Sequence, residues 1–271
     1  MIDECRGKVI ACFVRYLNGK ILASNIIRAA LLLLATAGLC VAANESSIQV
    51  ACNISQDNSA GLSGDLATDI HALPDFTETA AGMLGHHQFD QLDCLADRFR
   101  SAKERFPGGV WKLHTLYQGL AEPVRYPVHA TPEDWNNSIQ LLRQWTRERP
   151  KSITAHIALA SAYEQFAWEA RGSGYADTVS DSGWKLFQAR TAESKRLLDE
   201  ASALPTKCPE WYLVMLQLAI DQTWDLPQVR VLFEDASKFE PGYYYYARQF
   251  ARYLQPRWNG EPGDTEVFMQ E

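Results

Sequence analysis

Two adjacent histidines followed by an acid, His86-His87-Gln88-Phe89-Asp90, are the nearest approach to a metal-ligand pattern in this 271-residue chain. Neighbouring residues on a helix point about 100° apart, so His86 and His87 diverge, whereas His87 and Asp90 at i,i+3 share a side. No third ligand stands close by, and no Cys/His spacing suggests zinc. The expectation is a solvated turn between two helices, with no metal and no other cofactor. His71, His114, His129 and His156 are scattered, with no acid or nucleophile at a telling spacing. No GxGxxG, P-loop, GxSxG or HExxH pattern occurs, so no catalytic residue is assigned.

Two other segments carry candidate binding groups. The first is the polar stretch from Arg171 to Gly183, rich in Gly, Ser and Asp. Loops of this kind either carry function or pack on themselves. Gly172 and Gly174 permit positive φ. Tyr175 is placed to fold back on Trp168 or Trp184, and Asp177, Thr178, Ser180 and Asp181 are candidate caps for the next helix. Arg171, Tyr175 and Asp177 are the groups from which a ligand site under this loop would be built. The second segment is Tyr243-Tyr244-Tyr245-Tyr246. On a helix Tyr243 and Tyr246 share a side with Phe250, which leaves Tyr244 or Tyr245 facing outward near Arg248 and Arg252. Tyr and Arg are the side chains that anchor interfaces, so Tyr244, Tyr245 and Arg248 form a candidate recognition surface. Arg143, Arg147, Arg149 and Lys151 read as a solvated face near a helix C-terminus.

These groups need a scaffold, and prolines mark it. Pro107, Pro150, Pro205 and Pro241 each close an amphipathic stretch, at steps of 43, 55 and 36 residues. Such lengths suit helical hairpin repeats, with an insertion in the longest. Phe89, Leu92, Leu95, Ala96 and Phe99 recur at helical spacing, as do Trp135, Ile139, Leu142 and Trp145. Thr131-Pro132-Glu133-Asp134 is a helix start with a capping Thr, Pro at the first position and acids in the first turn. Residues 121–131 form a Pro-interrupted connector. The inner row of the last helix, from Gly242 to about Leu254, is expected to be Tyr243, Tyr246, Phe250 and Tyr253. The tail after Pro256 looks irregular. No strand alternation stands out.

The N-terminus reads as an address. Arg15, Lys20 and Arg28 precede an apolar core from Ala29 to Leu39, and Val41-Ala42-Ala43 resembles a cleavage site before Asn44. The apolar core is too short for a comfortable membrane span. Residues 1–43 are therefore taken as a signal peptide with a long basic region and 44–64 as a flexible arm. Residues 65–258 are the repeat domain and 259–271 the tail. Cleavage between Ala43 and Asn44 would send the protein to the periplasm or outside, with no stable membrane insertion afterwards. The remaining cysteines would be Cys52, Cys94 and Cys208, an odd number. Cys94, beside Leu92 and Leu95, is expected to be a buried thiol, with a Cys52 disulfide the alternative. The net charge of -7 becomes -10 once residues 1–43 are removed. An acidic protein is a poor fit for phosphate backbones or anionic membranes, which disfavours nucleic acid. It does not disfavour a protein or peptide partner.

The stretch Pro150-Lys-Ser-Ile-Thr-Ala-His-Ile-Ala-Leu-Ala-Ser-Ala-Tyr163 resembles the entry helix of a tetratricopeptide repeat, with Ala155, Ala162 and Tyr163 in the close-packing and gap-filling roles. Trp211 and Tyr212 open the next unit similarly. Over roughly residues 85–260 the chain is also similar to a bacterial family of exported, tetratricopeptide-like proteins classed as a domain of unknown function. That similarity rests on Trp168-Glu-Ala-Arg-Gly-Ser-Gly-Tyr-Ala-Asp-Thr-Val179, Gly183-Trp184-Lys-Leu-Phe187 and the Tyr243–Tyr246 run before Arg257-Trp258. It implies an all-α, tetratricopeptide-like superhelix of about four hairpins plus a C-terminal helix. It implies no reaction. The expected function is an exported interaction module for a protein or peptide, with no catalysis evident. The alternative is a small-ligand carrier or enzyme with a site under the 171–183 loop.

Overall fold

A computed structural model describes residues 72–123 and 129–270. The segments expected to be a signal peptide and a flexible arm, Cys52 and the middle of the 121–131 connector lie outside the described residues. Ten α-helices follow in order: α1 (Ala72–Gly85), α2 (Phe89–Ala102), α3 (Lys112–Ala121), α4 (Pro132–Glu148), α5 (Ile153–Arg171), α6 (Asp181–Ser202), α7 (Pro209–Asp221), α8 (Leu226–Phe239), α9 (Tyr245–Tyr253) and α10 (Asp264–Phe268). Among the described residues there is no strand, only an isolated bridge between Arg105 and Trp111. The protein is all-α.

The helix starts follow local chemistry. Thr131 Oγ1 accepts from Asp134 N at 3.2 Å while Asp134 Oδ2 accepts from Thr131 N at 2.8 Å, a reciprocal capping box with Pro132 in the first turn. The Thr131 hydroxyl, donating to Asp134 Oδ2 at 2.7 Å, and the Thr131 N–H hold the Asp134 carboxyl below its ordinary value. Ser152 Oγ caps α5 by accepting from Ala155 N, and Ser180 Oγ caps α6 by accepting from Gly183 N. α2 stops where Lys103 turns left-handed at φ 53° and its N–H reaches back to Phe99 O.

α5 is the centre of the array. Its alanines 155, 158, 160, 162 and 167 are wholly buried. With no bulk beyond a methyl they let α6 run close alongside, and Ser194 Oγ of α6 donates to Ala160 O at 2.7 Å. α5 also touches α2, α3, α4 and α7. The odd-numbered helices form a row in which each touches the next: α1 with α3, α3 with α5, α5 with α7, α7 with α9. The α1–α3 crossing is tight at Gly119, where a Cβ would lie 2.8 Å from Thr77 O and 2.9 Å from Ala80 Cβ.

The row is closed at one end. The corner between α2 and α3 meets the corner between α8 and α9. There Lys103 Nζ pairs with Glu240 at 2.8 Å. Arg105 Nη2 and Trp111 Nε1 both donate to Gly242 O at 3.1 Å. Trp111 N donates to Tyr245 OH at 3.2 Å. The tail past Pro256 is not wholly irregular: α10 brings Phe268 against Phe233 and Phe250.

Candidate functional site

Where the row closes, α3, α5, α7 and α9 surround an open cavity of about 240 Å³. Each of the four helices turns polar side chains toward it. Glu210, in the first turn of α7, is 4% exposed. Its two oxygens lie 3.1 and 3.2 Å from His114 Nδ1 of α3, and Oε2 also accepts from Tyr243 OH. A carboxylate at Nδ1 makes that nitrogen the protonated one and fixes the ring plane, so the second nitrogen is the one left for other partners. The Tyr245 ring lies tilted against His114 with centroids 4.0 Å apart, and its hydroxyl takes hydrogen bonds from Trp111 N and Tyr244 OH. Burial raises the ionisation of both Tyr243 and Tyr245 above the ordinary phenol value, so both stay neutral donors.

On the opposite wall, Glu164 of α5 is 4% exposed and accepts from Gln165 Nε2 at 2.8 Å. Burial is the main reason its carboxyl is pushed well above the ordinary value, and the nearby Asp221 carboxylate adds to it. Gln217 of α7 sits behind. Its Nε2 donates to Asp221 Oδ1 at 2.7 Å, while its Oε1 accepts from Gln249 at 2.6 Å and Arg252 at 3.1 Å. Ser161 Oγ, one turn before Glu164, is buried with no hydrogen-bond partner. Arg248 stands exposed at the rim.

The cavity thus holds side-chain amides, hydroxyls, an imidazole and two buried carboxyls, one held by His114 and Tyr243 and one pushed well above its ordinary value by burial. Hydrogen-bonding surface exceeds apolar surface along its wall. No group of three metal-ligating side chains occurs among the described residues. Ser161 makes no bond to His114, so no nucleophile–base pair is assembled there.

The candidate residues from the sequence fall in two places. Tyr245 and Arg248 line this cavity. Tyr244, 46% exposed, reaches it only through its bond to Tyr245. Tyr245 is 6% exposed, so of the two tyrosines expected to compete for the outside, only Tyr244 takes it. The expected inner row of Tyr243, Tyr246, Phe250 and Tyr253 is buried throughout.

The loop residues do not converge on a site. Arg171 donates to the carbonyls of Gly172 and Gly174, and its guanidinium lies over Trp168 at 4.9 Å and Trp184 at 5.2 Å. Tyr175 does not fold back on either tryptophan. It is 75% exposed and lies under Arg257. Asp177 is exposed in a 3-10 turn. The loop is instead the outer part of an alternating stack that runs Trp184, Arg171, Trp168, Arg252, Trp258, Arg257, Tyr175. Such cation–aromatic contacts each contribute about 0.5–1 kcal/mol when exposed and more when dry. The stack binds the loop to the segment after α9, a self-packed connector.

Two other expectations meet their structure here. Asp90 is taken by Arg149 at 2.6 Å and does not turn to His87, whose φ of 57° places it in the turn after α1. Cys94 is disulfide-bonded and so is not the buried thiol expected of it. Cys208 is the free, buried one, 3.5 Å from Tyr117 OH. The His114–Glu210 pair had no signal in the sequence, because 96 residues separate its members.

Comparison with family models, with curated proteins and with solved structures gives no match. No described helix is long and apolar enough to cross a membrane.

Proposed function

We propose that this chain is an exported, tetratricopeptide-like interaction module that holds a short peptide segment of a protein partner in the cavity between α3, α5, α7 and α9. The observation that carries this reading is the convergence of polar groups from four helices on one cavity at the closed end of the row. Buried polar groups are costly unless a partner satisfies them. The inner carboxyls have partners within the protein, so a ligand need not bring a strong charge. Among the described residues, no hydrogen bond occupies the side-chain oxygens of Gln165 and Gln249. Those oxygens suit N–H donors, and Arg248 at the rim suits a carbonyl or carboxylate. A peptide backbone supplies both.

Size narrows the ligand further. Pockets for drug-sized molecules run to about 300–1,000 Å³. A cavity of about 240 Å³ admits a side chain or a chain end and no folded element. The leader-like N-terminus supports export, and the acidic balance supports a partner other than nucleic acid.

The test uses mature protein immobilised against envelope extract, alongside Gln165→Leu and Arg248→Ala. A specific partner retained by the parent and lost by both variants, all three melting alike, is the expected result. A partner retained equally by all three would remove the cavity from the account.

A further inference from the structure

Behind the cavity, α5, α7 and α9 meet around two carboxyls. Asp221, at the end of α7, faces Glu164 of α5. Arg252 of α9 is the cation that acts on both. Its guanidinium is also a rung of the aromatic stack, 5.8 Å from Trp168 and 4.6 Å from Trp258. On the cavity side the charged or titratable groups that share the wall with Glu164 are His114 and Glu122 from α3 and its end, Glu210 from α7 and Arg248 from α9.

The junction is short of hydrogen bonds. Asp221 Oδ1 takes the Gln217 amide, but Asp221 Oδ2 is buried without a partner, and so is Trp168 Nε1. One cation faces a buried acid, Glu164, and a half-buried one, Asp221, whose Oδ2 is shut off from solvent. Two carboxylates together there would leave one negative charge uncompensated in a poorly solvated place, which costs several kcal/mol. A single proton on the pair removes that charge and supplies a donor.

We propose that Glu164 and Asp221 share one proton in the folded protein and that its loss forces the two carboxylates apart, loosening the α5–α7–α9 junction and freeing Trp168 from Arg252. The junction is then a proton-operated latch on the back wall of the cavity. Burial is the largest influence on each acid, pushing Glu164 well above its ordinary value and Asp221 up to about 7. The Gln217 amide and the Arg252 charge pull Asp221 the other way. Because the two groups interact strongly, they titrate as a pair.

The sign follows from linkage. Both acids hold their proton more tightly folded than unfolded, so the folded state binds more protons between the unfolded values and the folded ones. The stabilisation is complete below about pH 4, near the unfolded values, and is lost as pH rises through about 7. Ordinary surface carboxylates give the opposite slope, and only below about pH 4.

The proposal does not depend on what the cavity binds, so it can fail while the peptide reading stands, and the reverse. The experiment follows the side-chain carboxyl carbons of the mature protein by 13C NMR from pH 4 to 9, assigned with Glu164→Gln and Asp221→Asn. Tryptophan emission is recorded over the same range. The expected result is one carboxyl of the pair titrating near neutrality, with an emission change of the same midpoint that either substitution abolishes. A parent melting temperature lower by on the order of 5 °C at pH 8 than at pH 5 should accompany it, with a smaller drop in the variants. Both carboxyls titrating below pH 5 would overturn the proposal. So would an emission change that persists in the variants. The carboxyl titration of the parent decides the matter even if a variant does not fold.

Discussion

Glu210 is the residue on which the cavity turns. Only 4% exposed, it holds the ring of His114 and takes the hydroxyl of Tyr243, and so fixes the α3, α7 and α9 corners relative to one another. Hydrogen bonds to a charged group are worth about 1.5–3 kcal/mol each. Glu210→Gln keeps the shape but gives up the charge, and should lower stability by ~2 kcal/mol in urea unfolding. Glu210→Ala, which leaves both partners unsatisfied, should cost more. Asp93 makes a second residue-scale test. It accepts from Ser152 Oγ and from Trp145 Nε1, and burial raises it to about 6. It therefore stabilises below about pH 4 and loses that contribution as pH rises through about 6. Asp93→Asn should remove this part of the pH dependence of melting, leaving the part centred near 7. None of this was legible in the sequence. Spacing along the chain reveals partners three or four residues apart, whereas Glu210 meets His114 across 96 residues and Ser152 meets Asp93 across 59.

Elements were legible to the extent that their signals are local. The Thr131 capping box, the Ser180 cap and the Pro150 boundary lie where sequence chemistry puts them. The four-tyrosine run was half legible. Helical period turns Tyr246, Phe250 and Tyr253 inward, but Tyr243 is buried from the turn before α9, and Tyr245 is drawn inward by accepting from Trp111 N and by its contact with the His114 ring, both long-range contacts. The 171–183 loop shows the same limit. Its glycines and aspartates announce a loop and leave open whether it packs on itself or builds a site; what decides it is that Arg171 packs between Trp168 and Trp184 while Tyr175 meets Arg257, some 80 residues on. Two substitutions test the elements. Gly119→Ala places a methyl 2.8 Å from Thr77 O, a backbone atom that cannot rotate away, and should destabilise by about 1–3 kcal/mol despite the higher helix propensity of alanine. Ser152→Ala removes the α5 cap and a bond to Asp93, and should cost about 1–2 kcal/mol. Both are read from the urea midpoint at constant slope.

At the scale of the molecule, the row of odd-numbered helices closes through the Lys103, Arg105 and Trp111 contacts with Glu240, Gly242 and Tyr245. An open row would offer a long groove to an extended partner. Closure leaves in its place a cavity of about 240 Å³, the size of a chain end or side chain. Proline spacing marked where α2, α4, α6 and α8 end but carried no information on closure, because the curvature of an array is set by how successive crossings add up. Trp111→Phe keeps the apolar ring and removes the bond to Gly242 O. It should leave the helix content unchanged by circular dichroism while raising amide exchange in residues 240–246, the corner it pins.

The most direct test of the central claim is site-specific photo-crosslinking in intact cells. A photoreactive residue replaces Gln249 at the cavity in one variant and Leu186, exposed on the face of α6, in another. The cavity reading predicts a discrete crosslinked partner from position 249, mapped to one short peptide, and none from position 186. The same partner from both positions, or from 186 alone, would contradict it.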